Sequence, residues 1–106
     1  MDLSKYDLYC TEATREKLLT EHNVSFEEVE EAFFNSSLPY PIDDREEHRT
    51  NPPTRWFIAD TFDGRLLKVC FIDREKELRA EIKSAYEPEN IDIVQYLIKG
   101  GKIAWQ

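Results

Sequence analysis

Glycine, cysteine and histidine are scarce in this chain of 106 residues, which has three glycines, two cysteines and two histidines. Three glycines cannot build a glycine-rich phosphate cradle, so nucleotide-fold readings are unsupported. Cys10 and Cys70 form no CxxC pair and have no histidine cluster beside them. No transition-metal ligand set is therefore expected, no cofactor is called for, and a reduced cytoplasmic compartment is the simplest setting. Long apolar runs are missing too. None approaches the ~20 residues that cross a bilayer, and Met1-Asp2-Leu3-Ser4-Lys5-Tyr6 lacks a signal peptide's apolar segment. The expectation is a cytoplasmic protein with no membrane association. Cations are also in short supply, 14 Lys and Arg against 22 Asp and Glu for a net charge of -8, which opposes indiscriminate attraction to phosphate.

What the chain does have is a hydrophobic fraction of 41% and thirteen aromatics, enough to bury one core, so residues 1–106 are read as a single domain. The acidity is uneven. Residues 1–44 hold three Lys or Arg against eleven Asp or Glu, residues 45–83 nine against eight, and residues 84–106 two against three.

Thr11 followed by Glu12 and good helix formers to Glu21 predicts a first helix that stops near His22-Asn23. Ser25-Phe26-Glu27-Glu28 is a capping box opening a second helix, with Phe26, Val29, Ala32 and Phe33 on one stripe and Glu27, Glu28, Glu30 and Glu31 on the other side. From Asn35 to Pro53 the prolines and aspartates predict a loop with a short edge strand around Leu38 to Ile42. Arg55 to Thr61 and Leu66 to Ile72 read as strands joined at the Asp63-Gly64 turn. In the third strand, Leu78, Ala80, Ile82 and Ser84 alternate with Arg79, Glu81 and Lys83. Pro88-Glu89-Asn90 starts a last helix with Ile91, Val94, Leu97 and Ile98 at helical spacing, ended by Gly100-Gly101. The expected fold class is α+β in the order α-α-β-β-β-α, a compact antiparallel sheet with helices against one face. Phe26, Val29, Phe33, Leu67, Val69 and Ile82 are expected to line its interior.

Three segments carry a family resemblance. They are His22-Asn23-Val24-Ser25-Phe26-Glu27-Glu28-Val29-Glu30-Glu31-Ala32-Phe33, Asp63-Gly64-Arg65-Leu66-Leu67-Lys68-Val69 and Ile82-Lys83-Ser84-Ala85-Tyr86-Glu87-Pro88. In order and spacing they resemble the BrnT-type toxin family over roughly residues 15–88. The resemblance implies a RelE-like fold, endoribonuclease activity on mRNA, and a cognate DNA-binding antitoxin as partner. Where the family's last strand ends in arginine this chain has Tyr86, and a second family arginine falls on Glu81. The family arginine near Arg55 aligns with Thr54.

RNA cleavage without metal needs a base at the 2′-hydroxyl, cations for the phosphorane and an acid for the 5′-oxygen. RelE-like enzymes draw these from Arg, Lys, Tyr or His. The catalytic candidates are Arg65 and Lys83 as phosphate holders, with Tyr86 or Glu81 as proton carrier. Arg55, Trp56 and Arg79 are candidates for substrate binding, with Tyr40 and Trp105 as further stacking groups. Each has a plainer role on a solvated sheet face or in the core. His22 is read as a helix cap and His48 as a solvated loop residue. The four glutamates of the second helix suit a basic partner segment. The alternative to a nuclease is a non-catalytic protein-interaction domain on the same RelE-like scaffold. A small-molecule pocket between the second helix and the sheet is a third reading.

Overall fold

A computed structural model of the chain describes residues 5–45 and 49–103. The local signals at the first two helices act as expected. Thr11 caps helix α1, Glu12–His22, by accepting from the Thr14 amide, and Asn23 ends it in the left-handed conformation at φ 54°. Its amide and that of Val24 return to carbonyls of the last turn, which buries Val24 against Leu18 in the core. Ser25 and Glu28 form a reciprocal capping box at the start of α2, Phe26–Asn35.

The sheet departs from the expected order. Asp7–Tyr9 forms a first strand, β1, ahead of both helices; β2 spans Thr54–Asp60, β3 Leu66–Arg74 and β4 Arg79–Tyr86. The spatial order is β1-β4-β3-β2. β2, β3 and β4 are the antiparallel meander read from the sequence, but β1 lies parallel to β4, with Leu8 opposite Ala80, so the sheet is mixed. The α+β class holds and the all-antiparallel sheet does not. Between Leu38 and Ile42 the proposed edge strand reduces to one bridge, Ile42 to Arg55, because Pro39 and Pro41 have no N–H to donate.

Helices cover both faces, not one. Phe33 of α2 meets Phe57 and Phe71 edge to face at 4.8 and 5.2 Å between ring centroids. On the other face Tyr96 of α3, Asn90–Ile98, packs on Trp56 at 5.5 Å. Of the expected core, Val29, Phe33, Leu67, Val69 and Ile82 are buried and Phe26 is partly buried. In α3 the buried stripe is rotated: Tyr96 is buried and Leu97 and Ile93 pack partly buried against the core, while Ile91, Val94 and Ile98, expected with Leu97, are exposed.

One irregularity sets the orientation of the end of β4. Cys70 pairs with Ser84 and Phe71 with Ile82, so Lys83 is the extra residue of a β-bulge. Beyond it the alternation flips. Ala85 takes the interior place expected for Ser84, and Ser84 and Tyr86 face the side of the sheet that carries Lys68 and Cys70. Leu78, expected in the strand, instead closes the preceding turn in the left-handed conformation at φ 52° and is exposed.

Candidate active site on the open sheet face

Toward the β1 edge, Glu81 is a hub on the sheet face opposite α2. Its Oε1 accepts from Arg74 Nη2 at 2.8 Å and from the Tyr9 hydroxyl at 3.2 Å, and Lys83 Nζ lies 3.7 Å from its Oε2. The Arg79 guanidinium stacks over the Tyr9 ring, 3.8 Å from its centroid, a cation–π contact. The hydrogen bond from Arg74 outweighs burial and holds the Glu81 carboxyl below its usual range. Arg74, Arg79 and Lys83 thus gather around Glu81, with Asp7 opposite Arg79 across the ladder.

Farther along β4, Tyr86 stands between two surroundings. On one side Lys68 Nζ sits 5.8 Å from its ring centroid; on the other the His22 ring lies 5.6 Å away. Burial pushes the Tyr86 hydroxyl upward against the hydrogen bond its oxygen accepts from Lys68, so at neutral pH it keeps its proton. Lys68, alone among apolar neighbours in β3, is 6% exposed. Its ammonium donates to Asp92 at 2.9 Å and lies 4.5 Å over Trp56. Burial disfavours the charge, but the hydrogen bond to Asp92 and neighbouring groups more than offset it, and the ammonium is held charged.

His22, Arg65 and Tyr86 line one open cleft of about 530 Å³ together with Glu21, Asn23, Glu87 and Glu89. Arg65 is heavily engaged within it. Nε donates to Glu87 at 2.8 Å, Nη1 to the Asn23 carbonyl at 2.7 Å and to both Glu28 oxygens at 3.1 and 3.0 Å, and Nη2 to the His22 carbonyl at 3.2 Å. It fastens the end of α1 to the start of α2, and two carboxylates already meet its charge.

The remaining candidates are placed elsewhere. Arg55 points to the α2 side, bonded to Asp73 at 3.2 Å and to the Tyr40 carbonyl at 2.9 Å. Trp56 is 5% exposed, and with Tyr96 on its face it is a core residue with no ring surface free for a base. Tyr40 is buried too. His48 and Trp105 lie outside the described residues. The fold therefore brings Arg79, Glu81 and Lys83 into one patch and Arg65 with Tyr86 into one cleft, and separates both from Arg55. Lys68, Arg74 and Tyr9 went unnoticed in the sequence, although a lone lysine inside an apolar strand is a visible signal.

The family model described as "Ribonuclease toxin, BrnT, of type II toxin-antitoxin system" matches residues 11–87. The chain belongs to the BrnT family. No curated protein and no solved structure matches it. The BrnT match begins at the cap of α1 and ends one residue past β4, so it contains Arg74, Arg79, Glu81 and Lys83 of the patch and His22, Arg65 and Tyr86 of the cleft, while Tyr9 with the rest of β1, and α3, lie outside it. Membership in a BrnT toxin family implies an antitoxin partner. Among the described residues, no helix is long and apolar enough to cross a membrane.

Proposed function

We propose that this chain is a metal-independent endoribonuclease of RelE-like fold that cuts mRNA in the cytoplasm and is held inactive by a DNA-binding antitoxin. The observation that carries the reading is the β4 face. In a chain of net charge -8, this strand presents Arg79 and Lys83, joined by Arg74 from β3, with a protonated tyrosine at its end. Such a surface supplies what phosphodiester cleavage by the neighbouring 2′-hydroxyl requires. Lys83, nearer to Tyr86 along β4, holds the scissile phosphate and stabilises the charge that builds on the phosphorane, and Arg79, at the far end of the strand and roughly 20 Å from Tyr86, holds a neighbouring phosphate. Tyr86, kept neutral by its burial, gives a proton to the departing 5′-oxygen. Glu81, ionised through its hydrogen bonds, can only accept a proton, and it also fixes Arg74 and Lys83. Arg65 works at one remove, positioning the cleft wall beside Tyr86.

Expression of the chain in a bacterial host lacking an antitoxin tests this directly. Wild type should arrest growth and cleave mRNA with or without a chelator present. Lys83→Ala and Tyr86→Phe, neither of which removes a core contact, should each reduce cleavage by about tenfold or more. Harmless expression of folded wild-type protein, with no cleavage on or off the ribosome, would place the non-catalytic interaction domain ahead.

A further inference from the structure

Away from the β4 face, two phenylalanines stand in solvent side by side. Phe34, at the end of α2, is 80% exposed, and Phe62, in the turn between β2 and β3, is 64% exposed. Their rings meet edge to face at 5.7 Å and 88°. Neither contributes to the core, and the pair is held in place by two hydrogen bonds beneath it. Glu31 accepts from the Phe62 amide at 3.0 Å, and Asn35 Nδ2 donates to the Asp60 carbonyl at 2.7 Å. These bonds lock the turn to the helix, so a ligand would find the aromatic ledge already formed, with little ordering left to oppose binding.

The surroundings carry one sign. Glu27, Glu30 and Glu31 precede Phe34 on α2, and Asp60 and Asp63 flank Phe62; no lysine or arginine occurs from Asn23 to Asp44 or from Trp56 to Gly64. Glu28 is the exception on α2, since it is spent on Arg65. Among the described residues no cation pairs with Glu27, Glu30, Glu31, Asp60 or Asp63. An aromatic ledge ringed by unpaired carboxylates repels nucleic acid and anionic lipid. It favours a polypeptide with apolar anchors between cationic side chains, because that partner buries the rings and neutralises the rim together.

We propose that Phe34 and Phe62, with their rim of carboxylates, form a docking surface for a cationic amphipathic segment of a protein partner. In a toxin–antitoxin pair that segment belongs to the antitoxin, and only this assignment rests on the function proposed above. The surface lies on the α2 side, whereas the proposed catalytic groups lie on the opposite face of the sheet, so binding here leaves the β4 face uncovered by the docked segment itself.

The probe is a synthetic helical peptide of 18 residues (roughly five turns) with leucines along one face and lysines elsewhere, titrated into the full chain by calorimetry. A matching peptide with glutamate in place of lysine is the control. The Leu/Lys peptide should bind, weaken as salt rises, and lose at least tenfold in affinity to Phe34→Ser/Phe62→Ser and to Glu27→Lys/Glu30→Lys; the glutamate peptide should not bind. Circular dichroism and thermal melting of the variants confirm that they remain folded. Undiminished binding to either double variant overturns the proposal. So does loss of binding only in Val94→Ser/Ile98→Ser, which would move the contact to the outer stripe of α3, or a concentration-dependent dimer of the free chain that Phe34→Ser/Phe62→Ser dissociates, which would make a second copy the occupant. Because no RNA is involved, peptide binding without cleavage, or cleavage without peptide binding, tells the two proposals apart.

Discussion

A guanidinium with five hydrogen bonds to four residues, as at Arg65, acts first as a fastener. Its three nitrogens reach separate partners, Nη1 shared between the two Glu28 oxygens and the Asn23 carbonyl, Nε on Glu87 and Nη2 on the His22 carbonyl, a planar spread that an ammonium cannot reproduce. Arg65→Ala should therefore cost about 1–3 kcal/mol of stability in urea unfolding, with Arg65→Lys recovering only part of it. Glu28 gives the same contact a pH signature. Burial opposes its charge, but the Ser25 amide and the Arg65 guanidinium more than offset that, and its carboxyl is held below the usual range. A folded-state pKa lowered in this way contributes stability above the unfolded carboxylate value, near ~4.3, and loses it as pH falls through the lower folded one. Glu28→Gln should accordingly be less stable than wild type at pH ~7, and the gap should close as pH drops from about 5 to about 3. A gap that stays constant over that range would remove the ion pair as its cause. Little of this was legible from the sequence. Arg65 was visible as a cation after a Gly turn, but its partners lie 22 to 43 positions away, and only the fold shows that its charge is already matched.

Elements whose formation is decided by their own ends were the readable ones. Thr11, Asn23 and the Ser25–Glu28 box act within a few residues of themselves, so α1 and α2 came out with their boundaries nearly right. β1 did not, because three residues carry no periodicity and the strand owes its existence to the distant edge of β4. The buried face of α3 is decided by something else that local pattern does not carry. Two apolar stripes coexist on one helix, and the choice between them is made by Tyr96 fitting against Trp56 and by Gly101, where a Cβ would come within 2.4 Å of the Tyr96 ring. Asp92 then ties α3 to the sheet, accepting from Lys68 at 2.9 Å and from the Glu89 amide at 2.9 Å. Removing Asp92 strands a buried ammonium, whereas removing both partners does not. Asp92→Ala should cost about 3 kcal/mol, and Lys68→Met/Asp92→Ala markedly less. Amide exchange in α3 should quicken in the single variant and recover in the double. Equal destabilisation by the two would mean that the helix cap, not the ion pair, holds α3 in place.

Across the whole molecule the charges are sorted by face, and under the proposed function this sorting is what would let a chain of net charge -8 approach RNA. Arg79, Glu81 and Lys83 could be grouped from the sequence because they follow one another along a strand, but the bulge that makes Lys83 the extra residue and the arrival of Arg74 and Tyr9 could not. The resulting patch is small. Three cations, Arg74, Arg79 and Lys83, surround Glu81, while the α2 side is acidic and would repel a strand that wrapped around the molecule. RNA should therefore touch the protein briefly, along β4 alone. Each phosphate neutralised on a single strand contributes about -0.7 to the slope of log Kobs against log salt, so the two contacts assigned to Lys83 and Arg79, with Arg74 held by Glu81, predict a slope of about -1.4. Filter binding of a noncleavable RNA analogue over a salt series measures it, and Lys83→Ala should make the slope shallower by about 0.7. A slope much steeper than this would require cations that the β4 face does not have. A slope unchanged by Lys83→Ala would move the RNA off this strand, and with it the phosphate-holding role assigned to Lys83.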